Sequence, residues 1–118
     1  MRQELGLNRT EAMIGPKPNG HWATTATAPN CTRSYDFLSA GNWYRVKKPF
    51  TDAEADSHPV GETWRFVGTA YMHYDDVRCF CVSLDGDSEW VFHLQGDPDA
   101  QGPILRDLDQ YIERAACP

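Results

Sequence analysis

The sequence predicts a mainly β domain with one C-terminal helix, built as a small SH3-like antiparallel barrel or a strongly bent sheet. Three observations lead there. Four short runs rich in Val, Phe, Tyr and Trp, separated by turn residues, carry the strand signal. One later run, "ILRDLDQYIERAA", places apolar residues at 104, 105, 108, 111 and 112, the spacing of a single helical face. Finally, 118 residues hold only one modest core, so a small sheet must bend or close to bury its apolar side.

Taken in order, residues 1–34 read as a tail. "GPKPNGHWATTATAPNCT" mixes Pro, Gly, Asn and Thr with no period, so it is expected to be poorly ordered or draped on the domain. A short helix over residues 2–13 has thin support. The single domain is then residues 35–118. "WYRVKKPF" is a first strand with Tyr44 and Val46 on one face, and "TDAEADSHPVGE" a long polar loop closed by a turn at Pro59 and Gly61. "TWRFVGTAYMHY" is a second strand, in which Gly68 suggests a bulge. "DDV" turns into the third strand, "RCFCVSL", and "DGD" makes a hairpin into the fourth, "SEWVFHLQ". Pro103 suits the first turn of the closing helix.

Charge narrows the function. Residues 1–49 hold seven Lys/Arg against three acids (+4), and residues 50–118 hold four Arg against fourteen acids (−10). An acidic half disfavours direct binding to a phosphate backbone, which needs Lys and Arg to neutralise it. It suits a basic protein partner, because complementary charge steers association. No run approaches the roughly 20 apolar residues that cross a bilayer. The start lacks the apolar stretch of a secretory signal, so a cytoplasmic location is expected.

Several strings together resemble a bacterial domain-of-unknown-function family. They are Tyr44-x-Val46, Phe50-Thr51-Asp52, His58-Pro59-x-Gly61-Glu62-x-Trp64-x-Phe66 and Tyr74-Asp75-Asp76, within about residues 43–112. In that pattern a Gly often follows the Tyr-Asp-Asp, where Val77 stands here. The resemblance implies a fold and no agreed chemistry, so it assigns no catalytic residue.

The residues offer two kinds of site. Strand alternation puts Phe80, Val82 and Leu84 on one face with Trp90, Phe92 and Leu94, and Cys79 and Cys81 on the other with Val91 and His93. Two thiols and an imidazole are three of the four ligands of a zinc site, but no C-x-x-C knuckle is present, and packing is the commoner use of half-buried Cys. Cys31 and Cys117 lie in the tail and at the C-terminus, with pairings that spacing cannot decide. His58 with Glu62, four residues on, fits a turn-stabilising hydrogen bond better than a general base. Asp85, Asp87 and Glu89 alternate like the start of a calcium loop, yet Trp90 stands where that loop needs Gly.

The second kind is an acidic rim. In a small barrel the first long loop and the later hairpins often lie toward the same end. Asp52, Glu54, Asp56, Asp75 and Asp76 are then expected to gather there with Trp64, Tyr71 and Tyr74. Aromatic side chains beside charge are what interfaces enrich. The sequence therefore reads as a non-catalytic, acidic protein-binding module without a cofactor. Its most concrete form is an immunity- or inhibitor-type protein that neutralises a basic toxin or enzyme. The alternatives are a metal- or thiol-dependent protein using Cys79, Cys81 and His93, and an acidic mimic of nucleic acid acting on a DNA- or RNA-binding enzyme. A homodimer through an outer sheet face is also compatible.

Overall fold

Alternation of large apolar residues with period two carries the chain into one antiparallel sheet of six strands. The structure is a computed structural model that describes residues 13–18 and 32–117. The strands are β1 (Ile14–Pro18), β2 (Ser34–Tyr35), β3 (Leu38–Ser39), β4 (Trp43–Val46), β5 (Phe50–Thr51), β6 (Ser57–His58), β7 (Thr63–Met72), β8 (Val77–Ser83), β9 (Ser88–Gln95) and β10 (Ile112–Ala115). The main sheet runs β1-β9-β8-β7-β4-β10, with β2-β3 and β5-β6 as separate two-stranded ribbons. Because β1 and β10 lie at opposite edges and do not pair, the sheet is open and bent. Among the described residues the closed SH3-like barrel is not formed.

Register puts the core on one face. Tyr44 pairs with Trp64, Phe66 with Val82, Val82 with Trp90, and Phe80 with Phe92. These side chains are buried with Val46, Leu94 and Ile112, and Leu38, Phe50, Ile104 and Leu108 close over them. Phe92 is central: Phe80 stacks on it at 5.2 Å, and Phe50 and Trp64 approach it at 6.0 Å each. The irregularity expected at Gly68 is present, as a register shift between Phe66 and Gly68.

Two expectations need correction. Residues 104–112 do not form one helix. A short helix, α1 (Gly102–Arg106), carries Pro103 in its first turn, and Asp107 then leaves helical geometry at φ −122 and ψ 44. A 3-10 turn covers Leu108–Gln110, and β10 follows on the edge of β4, with Ile112 opposite Val46. Ile104, Leu108 and Ile112 are nevertheless all buried. The four-residue spacing marks core positions without requiring helix between them. So short a helix is marginal by itself, and the bare edge of β4 supplies ladder hydrogen bonds instead.

The N-terminal segment is not all tail. Met13 is buried in the core, and β1 pairs with β9 through Ile14–Val91, Lys17–Glu89 and Pro18–Ser88. Its Gly and Pro residues resemble a loop in sequence, yet an edge strand accepts Pro because one side needs no donor. Gly15 is required there: a Cβ would stand 2.7 Å from the Glu89 carbonyl oxygen, and φ is +139. Thr32 then bridges to Thr69 on β7. The helix expected before residue 13, with His21 and Cys31, lies outside the described residues. Among the described residues no helix is long and apolar enough to cross a membrane.

Candidate functional site

The loop between β4 and β7 is built around a buried imidazole. β5 and β6 pair Phe50 with His58 and Thr51 with Ser57, which folds the intervening acids back on themselves. Asp52 Oδ1 accepts the backbone N–H groups of Glu54 and Asp56, both at 3.0 Å. Asp52 Oδ2 lies 2.7 Å from His58 Nε2, and Glu62 Oε2 lies 2.7 Å from His58 Nδ1. Trp64 Nε1 donates to the same Glu62 oxygen at 3.2 Å. Phe50 stacks on the imidazole at 4.6 Å, and Phe92 meets it at 4.6 Å at an inclined angle.

Burial alone would push His58 toward its neutral form, but hydrogen bonds and charge from Asp52 and Glu62 outweigh it and hold the pKa up at about 9. At neutral pH His58 is therefore an imidazolium donating from both ring nitrogens. With its side chain 1% exposed it is closed to any substrate. This group stabilises the loop, and it overturns part of the expected rim. Asp52 and Trp64 are interior residues.

Of the other expected rim residues, Tyr71, Tyr74, Asp75 and Asp76 share the β7–β8 hairpin, whereas Glu54 and Asp56 lie in the loop between β5 and β6. The β7–β8 turn, the end of β9 and the loop before α1 are laced by hydrogen bonds. Gly96 N–H donates to the Asp76 carbonyl at 2.7 Å, and Gln95 Nε2 to the Asp75 carbonyl at 3.1 Å. Asp97 N–H donates to Gln95 Oε1, and Gln101 Nε2 reaches the Asp52 carbonyl at 3.4 Å. A Cβ on Gly96 would fall 2.6 Å from an Asp76 carboxylate oxygen, so a side chain there would have to displace that carboxylate. Glu54, Asp75, Asp76, Asp97 and Asp99 are exposed, and Asp56 is half-buried. Burial raises the Asp56 carboxyl above its usual range, and the charges of Asp52 and Glu54 add to the effect. Tyr74 is fully exposed at the tip, and Met72 is 40% exposed. Tyr71 is half-buried and donates to Asp76 Oδ1 at 2.6 Å.

The second sheet face holds the thiols as alternation predicts. Cys79 lies opposite His93, and Cys81 opposite Val91. Cys81 is buried, with Sγ 3.5 Å from Glu89 Oε1, and Glu89, Ser83 and Val91 around it are buried too. Cys79 and His93 are half-buried. His93 Nδ1 meets Glu54 Oε2 at 2.9 Å, since Ala53 N–H binds the His93 carbonyl and draws the loop across the β9 edge. Among the described residues no group of three or more His, Cys, Asp or Glu converges to hold a metal ion. Sequence reasoning missed the Asp52–His58 and Glu54–His93 contacts. It also missed Arg78, whose guanidinium lies 4.3 Å from the Tyr35 ring centroid and 5.4 Å from that of Tyr71. The Asp-x-Glu-x-Asp spacing at 52–56 was the one available hint, since a leading Asp often caps the next backbone amides.

No protein-family model matches the chain, and no curated protein does. Among solved structures the chain is similar to an integron cassette protein from the mobile metagenome of Vibrio cholerae. That likeness has a TM-score of 0.68 and 27% sequence identity, and covers 71% of this chain and 92% of that one.

Proposed function

We propose that the chain is a non-catalytic, acidic protein-binding module, acting in the cytoplasm as an immunity- or inhibitor-type protein toward a basic toxin or enzyme. The observation that carries this reading is the loop end itself. Hydrogen bonds tie the β7–β8 turn, with exposed Tyr74, Asp75 and Asp76, to the end of β9 and the loop that carries exposed Asp97 and Asp99. Tyr is a preferred anchor at interface centres, and a ring of like charge directs the approach of an oppositely charged partner. The buried His58–carboxylate group is sealed, so it supplies no general base to a substrate. The likeness to a mobile-metagenome protein accords with a small self-contained module.

The test uses the full chain as bait in lysate of its host, beside a Tyr74→Ala/Asp75→Lys variant. The expected result is a basic protein retained by the parent, absent from the variant and released by salt. Identical captured sets from the two baits would sink the reading.

A further inference from the structure

An edge strand presents backbone N–H and C=O groups that a further strand can take up, and the two edges of this sheet are built differently. From that contrast we infer that the outer edge of β10 is a docking surface for an extended segment of a partner protein. The segment runs antiparallel, with an acidic residue opposite Arg114 and a basic one opposite Glu113. The inference is independent of the binding reading above, since it uses none of the loop acids.

The β1 edge is blunted. Pro16 and Pro18 carry no N–H, Lys17 adds charge, and the register with β9 shifts between Ile14 and Lys17. β10 has neither a Pro nor a shift: Ile112, Glu113, Arg114 and Ala115 pair in turn with Val46, Arg45, Tyr44 and Trp43. Its backbone orientation follows from β4. Val46 N–H donates to the Glu62 carbonyl at 2.8 Å, and Gly61 N–H to the Val46 carbonyl at 2.9 Å, so Val46 is bonded toward β7. Ile112, opposite Val46, therefore turns its own N–H and C=O away from β4, and Arg114, two residues on, does the same. The sheet ends at β10, so among the described residues no strand takes up these groups.

Side chains decide the occupant. A two-fold antiparallel pair of β10 strands must place one residue against its own copy. The registers that keep most of so short a strand paired are centred on Glu113 or on Arg114. Each sets like charges directly opposite, which is unfavourable, so a second copy is a poor occupant. A strand of another protein can reverse both contacts, and both groups have capacity to spare. Glu113 Oε2 meets Arg45 Nη2 at 2.6 Å, while Glu113 Oε1 has no partner among the described residues. Arg114 is exposed and donates from Nη2 to Asn42 Oδ1 at 3.3 Å, leaving the rest of its fork open.

The experiment adds a synthetic peptide, acetyl-Thr-Val-Glu-Lys-Val-Thr-amide, to the full-length protein. In the antiparallel register its Glu faces Arg114 and its Lys faces Glu113. Amide exchange is read residue by residue by NMR, with peptide at about ten times the Kd found from shift changes. The Ile112 and Arg114 amides should then slow about tenfold, while Glu113 and Ala115, already bonded to β4, should change far less. A peptide with Glu and Lys exchanged should bind about tenfold more weakly. The Glu113→Lys/Arg114→Glu variant should reverse that preference. Where the variant does not fold, the two peptides on the parent protein decide. Slowing at Glu113 and Ala115 instead, shift changes centred on the loop acids, or no saturable binding at millimolar peptide would overturn the inference. A concentration-dependent dimer of the free protein that slows the Ile112 and Arg114 amides would give the edge to a second copy and overturn it too.

Discussion

His58 sits between two carboxylates at 2.7 Å each, in a pocket closed by Phe50 and Phe92. Burial opposes its charge, and the Asp52 and Glu62 hydrogen bonds override that, giving a folded pKa of about 9 against 6.5 when unfolded. A pKa raised by folding stabilises fully below the unfolded value and is lost as pH rises through the folded one. The window is therefore pH 6.5 to 9, and the amount is about 3 kcal/mol at 1.36 kcal/mol per unit. Urea denaturation should show that loss between pH 6 and 10, and imidazolium 15N shifts should persist for His58 at pH 8. A neutral-imidazole pattern at pH 8 would refute the assignment. Asp52→Asn, which breaks a buried charge pair, should cost about 3–5 kcal/mol, whereas Glu54→Gln on the surface should cost under about 1 kcal/mol. Of this cluster, the His58–Glu62 contact was legible, since the two stand four positions apart across a turn at Pro59 and Gly61. Asp52 was not, because a loop acid folded inward looks in sequence like its exposed neighbours Glu54 and Asp75.

At the scale of elements, the strands with clean alternation were legible from the residues: β4, β7, β8 and β9 occupy the expected runs, with the irregularity beside Gly68. What escaped were the two edges. β1 carries Gly15, Pro16 and Pro18, which read as loop because propensity ignores whether a strand has one neighbour or two. β10 hid inside a helical spacing, since Ile104, Leu108 and Ile112 reach the core whether or not the backbone between them is helical. The two backbones make different predictions. Hydrogen exchange should protect alternate amides within residues 112–115 through the β4 ladder, while a continuous helix would protect consecutive amides over 108–112 instead. Ile112→Ala, at a fully buried position, should cost about 2–5 kcal/mol by urea denaturation. Leu105→Ala, at a half-buried one, should cost roughly half that or less. Equal costs would argue against β10 as the closing strand of the core.

Across the whole molecule, charge and packing are segregated. The aromatic core lies on one face of the bent sheet, while most acids from residue 50 onward fall in loops, so a net charge of −6 is concentrated where side chains are freest. Such a distribution acts chiefly on the rate of encounter, because the field reaches beyond contact distance before any surface is desolvated. An anchor such as Tyr74 acts instead on the lifetime of the complex, since its buried area is realised only after docking. The two contributions should therefore separate in kinetics with the captured partner. Asp75→Lys/Asp97→Lys should lower the association rate constant tenfold or more at low salt, with little change in dissociation. Raising salt from 0.1 M to 1 M shortens the screening length from about 10 Å to about 3 Å, and should bring parent and variant association rates together. Tyr74→Ala should leave association near the parent value and speed dissociation by about tenfold or more. An association rate that ignores salt would place the docking surface elsewhere on the fold, away from the loops that Gly96 and Gln95 hold together.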